Sequence, residues 1–201
     1  MLATLAQQLT DVGWVIWDDF LLPPRVAELR MQAMTQWQAG AFHAAGIGRG
    51  SDFKVNSTIR SDQVQWLEPT TQSALGEYQA AIERLRVALN QALYLGLFEF
   101  EGHFAVYPPG AFYRRHVDNF RGTSARIITA ILYLNADWRP DDGGQLRLYT
   151  QGDQPDSYID ILPYGGRLVV FRSELFWHEV LPARRERLSL TGWLRTRSGI
   201  L

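Results

Sequence analysis

The spacing of apolar residues divides the chain into a mainly helical part, residues 1–95, and a strand-rich part, residues 96–201. Leu75, Tyr78, Ile82, Leu85 and Leu89 advance in alternating steps of three and four, which stacks their side chains on one face of an α-helix. Val26, Leu29, Ala33 and Trp37 form a second stripe behind Pro23 and Pro24. Proline suits a helix's first turn, where an amide hydrogen has no intrahelical acceptor to lose. An amphipathic segment opens the chain, and residues 13–17 predict a strand. Farther on, the runs 98–107, 112–117, 127–134, 145–149, 158–162, 167–171, 178–181 and 188–195 are short, apolar or alternating, as strands are. Tyr107-Pro108-Pro109-Gly110, Asp141-Asp142-Gly143-Gly144 and Pro163-Tyr164-Gly165-Gly166 supply turns.

Helices early and strands late predict an α+β arrangement with the N-terminal helices packed on one sheet. The succession of short strands fits a sandwich, barrel or jelly roll. Residues 40–69 show no sustained period and contain Gly46, Gly48 and Gly50, so they are expected to form either a lid over a site or a plain surface excursion.

Composition narrows the function. A chain of 201 residues, 46% hydrophobic and 20% charged, is expected to fold as one domain with a substantial core. The formal net charge is −1 with mixed signs along the sequence, which disfavours a nucleic-acid or membrane partner. Arg184 and Arg185 read as a solvated approach to the next strand rather than a partner site. Cysteine is absent, so any metal must be held by imidazole and carboxylate. The N-terminus lacks the basic start of a targeting signal, and no apolar run approaches the about 20 residues of a membrane helix, so a cytoplasmic protein is expected.

Residues two apart on a strand share a face, so His116 and Asp118 can reach one ion. His178 begins a later strand that a rolled sheet could bring beside them. Two imidazoles and a carboxylate on one face of an octahedron leave positions open, as Fe(II) oxygenases require. In the last strand Leu188, Leu190 and Leu194 alternate with Arg187, Ser189, Thr191 and Trp193. The first set faces a core and the second a cavity. An arginine facing inward needs an anion, which a structural Asp or Glu or a bound carboxylate could supply. Tyr133 shares a face with Thr129 and Ile131, either as an ordinary buried tyrosine or as part of the site. His43 and His103 have no acidic or imidazole neighbour at ligand spacing and read as structural or surface residues.

Tyr107-Pro108, the stretch Tyr113-Arg114-Arg115-His116-Val117-Asp118-Asn119, Tyr133-Leu134-Asn135-Ala136-Asp137-Trp138, Gly143-Gly144-Gln145-Leu146-Arg147, His178-Glu179-Val180 and the segment from Arg187 to Trp193 agree in order and spacing with one family. They resemble the prolyl-hydroxylase branch of the 2-oxoglutarate oxygenases, most of all the oxygen-sensing prolyl hydroxylases and their bacterial relatives. The resemblance implies a double-stranded β-helix. It implies Fe(II) on His116, Asp118 and His178, with the distal carboxylate of 2-oxoglutarate on Arg187 and the Tyr133 hydroxyl. Tyr107, Thr129, Leu146, Thr191 and Trp193 would line the pocket. Trp66, in Ile59-Arg60-Ser61-Asp62-Gln63-Val64-Gln65-Trp66-Leu67, is similar to a family segment that helps form a mobile loop over the site. The turn after Tyr107 and the loop before His178 look shortened, and a C-terminal helix found in some relatives is expected to be missing.

The implied activity is O2-dependent decarboxylation of 2-oxoglutarate to succinate and CO2, coupled to hydroxylation of a substrate, with ascorbate as a further candidate cofactor. A protein or peptide with an exposed proline is the leading substrate, elongation factor Tu being a precedent in the branch. The alternatives are a free amino acid or small metabolite, or a non-catalytic oxygen or 2-oxoglutarate sensor. Oxidative nucleic-acid demethylases usually carry a second arginine six residues after the cosubstrate arginine, where this chain has Trp193.

Overall fold

A computed structural model describes residues 2–47, 54–119, 125–152, 154 and 156–197. In chain order the elements are α1 (Leu2–Asp11), β1 (Trp14–Trp17), α2 (Pro23–Gln38), β2 (His43–Ala44), β3 (Gly46–Ile47), β4 (Lys54–Val55), β5 (Gln63–Trp66), α3 (Ser73–Leu93), β6 (Glu99–Tyr107) and β7 (Tyr113–His116). They continue with β8 (Arg126–Tyr133), β9 (Leu146–Tyr149), β10 (Tyr158–Ile161), β11 (Leu168–Arg172), β12 (His178–Val180) and β13 (Arg187–Arg195).

Among the described residues the strands build a seven-stranded sheet, in the order β1-β11-β8-β13-β6-β5-β2, and a four-stranded sheet, β10-β9-β12-β7. β3 and β4 pair separately. Every ladder is antiparallel. The two larger sheets face one another as a double-stranded β-helix.

Period-two alternation sorts the side chains between two cores. Leu188, Leu190 and Leu194 point from β13 to the helices, where they join Leu29 of α2 and Tyr78, Ile82, Leu85 and Leu89 of α3. The opposite face of the large sheet meets the small sheet through Tyr107, Ile131, Tyr133, Leu146, Leu148 and Phe171. The helices therefore support one side of the sheet and leave the other to the site. Gly102 and Gly192 lie opposite each other on β6 and β13. A Cβ on Gly192 would come within 2.4 Å of the Phe100 ring, so the missing side chains make room for that aromatic across two strands.

Residues 40–69 depart from the expectation of an irregular lid or excursion. They carry β2 to β5, and β5 extends the large sheet by pairing with β6, Trp66 opposite His103. Strands of two to four residues are too short to show a period, and their pairing is non-local, which is why the pattern hid them. Gly48 and Gly50 lie outside the described residues. Arg184 is exposed, whereas the Arg185 guanidinium stacks 5.2 Å from the Trp138 ring and donates to the carbonyls of Ala136 and Asp137, fastening a turn. Among the described residues no helix is long and apolar enough to cross a membrane.

Candidate metal centre and anion pocket

β7 and β12 are neighbours in the small sheet, with His116 opposite His178. Asp118 follows β7 by two residues. One ligand atom from each of His116, Asp118 and His178 falls within 4.8 Å of the others. The Asp118 carboxylate spans both rings, Oδ1 3.6 Å from His116 Nε2 and Oδ2 3.6 Å from His178 Nε2.

Both imidazoles are oriented by backbone. His116 Nδ1 donates to the Arg114 carbonyl at 2.8 Å, and His178 Nδ1 donates to the Phe176 carbonyl at 3.1 Å. A carbonyl can only accept, so each Nδ1 carries a proton, and Nε2 is the ring nitrogen directed at the centre. These carbonyls are the imidazole partners that side-chain identity could not name. Tyr113 stacks on His116 with ring centroids 3.6 Å apart, and Phe171 packs at a steep angle against His178 with centroids 4.9 Å apart. Burial, with His116 nearby, pushes His178 down to about 4 against the pull of Asp118, so the ring is neutral at neutral pH. Burial works to raise Asp118, yet His178 and His116 outweigh it and hold the carboxylate well below its usual range. Thr129 donates to Asp118 Oδ2 at 2.8 Å, and its hydroxyl lies 2.8 Å from that of Ser173. Thr129, expected as a lining residue, thus contacts the carboxylate itself. A carboxylate and two imidazole Nε2 atoms brought together in this way are a donor set that fits a divalent ion such as Fe(II).

A second cluster occupies the same cavity face where β13 begins. Arg187 is 1% exposed, and its Nε donates to the Gly144 carbonyl at 2.8 Å. Gly144 has φ +68°, and a Cβ there would lie 2.9 Å from Ala183 Cβ, so the turn can deliver its carbonyl to Arg187 only with glycine. The Tyr107 and Tyr133 rings each lie 5.0 Å from the guanidinium carbon. Among the described residues no carboxylate pairs with Arg187. Fully buried Tyr133 places its hydroxyl beside this guanidinium without a hydrogen bond of good geometry. Burial raises the Tyr133 pKa while Arg187 opposes it, and the hydroxyl remains a donor. A buried cation with no paired carboxylate among the described residues, beside an unused donor, can hold a bound carboxylate.

Leu146 is buried in the core between the sheets. Half-buried Thr191 bonds Ser189 at 3.2 Å, and Trp193 is 6% exposed beneath the Arg126 guanidinium at 3.4 Å. Asn135 has no role assigned from the sequence, and His103 is expected from it to be a structural or surface residue. The Asn135 amide accepts from Leu188 N at 2.7 Å and donates to Pro163 O at 2.8 Å, so it fixes the backbone beside Arg187. His103 is 4% exposed and shares the cavity face of β6 with Tyr107. Strand parity from Tyr107 could have found it, since four residues return to the same face.

Comparison with known proteins gives a consistent result. Residues 102–195 match the model of the 2OG-Fe(II) oxygenase superfamily. A Pseudomonas putida prolyl-4-hydroxylase structure shares 46% identity and a TM-score of 0.88, with 98% of this chain and 100% of that chain covered. A Trichoplax adhaerens prolyl hydroxylase, solved in complex with a hypoxia inducible factor oxygen degradation domain peptide fragment, shares 28% identity and a TM-score of 0.86, covering 96% and 89%. A hypoxia-inducible factor prolyl hydroxylase of Caenorhabditis elegans is 29% identical over 96% of this chain, which spans 28% of that protein's length.

Proposed function

Because the chain belongs to the 2OG-Fe(II) oxygenase superfamily, we propose that it hydroxylates prolyl residues of a protein substrate at the expense of 2-oxoglutarate and O2. The observation that carries the cosubstrate is Arg187, a buried cation with no paired carboxylate among the described residues, beside the unused hydroxyl of Tyr133. The prolyl substrate rests on the likeness to the Pseudomonas putida and Trichoplax adhaerens enzymes.

In this reading residues 1–201 form one oxygenase domain, with 1–95 as support and 96–201 as the catalytic core. His116, Asp118 and His178 would hold Fe(II). Bound iron supplies the oxidising chemistry that couples decarboxylation of the cosubstrate to hydroxylation. Arg187 meets the distal carboxylate of 2-oxoglutarate with its planar fork, and Tyr133 donates the added hydrogen bond. Thr129 keeps Asp118 in one orientation. Tyr107, Leu146, Thr191 and Trp193 exclude water from the cavity wall, where a charged contact is stronger than in bulk solvent. A cytoplasmic location and an ascorbate requirement belong to the same proposal.

The test is mass spectrometry of proline-containing peptides, elongation factor Tu peptides among them, incubated with Fe(II), 2-oxoglutarate, ascorbate and O2. A prolyl product heavier by one oxygen is expected, with stoichiometric succinate. Succinate formed only with free amino acids or small metabolites would replace the substrate reading. No succinate under any condition would remove the enzymatic one.

A further inference from the structure

His103 has an environment unlike that of a histidine packed for stability. Register sets it between Trp66 of β5 and Thr191 of β13. Its ring lies 5.0 Å from Trp66, edge to face, and 5.5 Å from Trp193. Trp66 is 46% exposed, whereas His103 and Trp193 are buried, so this row of rings runs inward from solvent. Trp193 pairs in turn with Thr129, the residue that bonds Asp118. The row therefore ends beside the threonine that bonds Asp118, six residues along β13 from Arg187.

Within this row the imidazole has unused hydrogen-bonding capacity. His103 Nδ1 is fully buried and meets no hydrogen-bond partner among the described residues. Burial, with Arg60 adding to it and Asp62 opposing, pushes the ring down to about 3, so it stays neutral with one nitrogen as donor and one as acceptor. An unpaired buried polar atom is costly, and an aliphatic side chain would fill the gap between two indoles without that cost. A neutral imidazole does not select for charge. It suits the amide and carbonyl groups of a polypeptide backbone, which accompany every target residue.

We propose that His103 is a specificity-determining residue, hydrogen bonding the substrate backbone beside the residue to be hydroxylated, with Trp66 as the exposed lip of that subsite. This rests on the protein-substrate reading above. The probes are the hypoxia-inducible factor oxygen degradation domain peptide and a panel of other proline-containing peptides, assayed with wild type, His103→Leu and His103→Gln. Leucine fills the space without polar atoms, and glutamine restores both a donor and an acceptor.

The peptide KM is expected to rise about 3- to 10-fold in His103→Leu, the worth of one neutral hydrogen bond, and to recover in His103→Gln. The 2-oxoglutarate dissociation constant reports that the fold is intact. An unchanged peptide KM in His103→Leu, or equal KM values in the two variants, overturns the assignment. Product mass spectra separate the two claims. A peptide oxidised at a residue other than proline, with the raised KM, sustains the subsite and sinks the prolyl reading. A prolyl product with unchanged KM sinks the subsite alone. An enzyme that accepts only small molecules overturns both.

Discussion

Replacing Arg187 with methionine should separate ligand binding from folding. Arg187 is 1% exposed and donates to the Gly144 carbonyl, with the Tyr107 and Tyr133 rings beside it. Were it paired with a structural carboxylate, its removal would strand a buried charge and cost roughly 3–5 kcal/mol of stability. With no such carboxylate among the described residues, methionine fills the same volume and removes a buried cation, so the ligand-free protein should keep or slightly exceed its stability. Binding should behave oppositely. Truncating one partner of a buried, hydrogen-bonded charge pair costs on the order of 2–5 kcal/mol, which corresponds to at least about 30-fold weaker 2-oxoglutarate binding. The assay is thermal unfolding of the Mn(II)-loaded protein with and without 2-oxoglutarate. At about 100 times its dissociation constant the ligand adds about 2.7 kcal/mol to the wild type, and little of that should remain in Arg187→Met. A variant that unfolds without ligand, or binds 2-oxoglutarate as tightly as wild type, would refute the assignment of Arg187 to an external anion.

Three further outcomes follow from the same geometry. Thr129→Val removes the hydroxyl that orients Asp118 while keeping its shape, and should weaken Fe(II) binding about 10- to 100-fold by metal titration; unchanged affinity would mean that Asp118 is positioned by other contacts. Leu190→Ala, at 0% exposure between sheet and helices, should lower unfolding free energy by roughly 2–5 kcal/mol in urea, and a loss well under that range would contradict the core packing. Metal-free protein should lose stability as pH falls from about 6.5 towards 4 and below, because the unfolded chain protonates His103 and His178 while burial holds the folded rings near 3 and 4. Each ring contributes a slope of up to about 1.4 kcal/mol per pH unit across its window, so His103→Gln should flatten the curve; an unaltered slope would show that this ring is not buried and neutral.

Much of the fold was legible because its signals are local. The α3 stripe from Leu75 to Leu89 and the alternation from Arg187 to Trp193 each follow from a repeat within one element, and the cores received the side chains that these repeats assign. β2 and β5 were not legible. They are short, and they are held as strands by partners far along the chain. The status of His103 changed for the same reason: its neighbours Trp66 and Trp193 come from two other strands and no local pattern connects them.

For the site, sequence alone determined which groups are available: imidazole and carboxylate as the sole strong metal donors in a chain without cysteine, an arginine on the cavity side of β13, and a tyrosine on the same face of β8. Those follow from residue identity and strand parity. The tertiary structure decided what each group is free to do. The Arg114 and Phe176 carbonyls turn both Nε2 atoms toward the centre, and a carbonyl belongs to every residue, so no side chain could announce it. The Gly144 carbonyl and two aromatic rings surround Arg187 without neutralising it, and only folding determines which carboxylates come near a given cation. Ligand identity is local chemistry, whereas which carboxylates compete for a buried cation is a property of the whole packed chain.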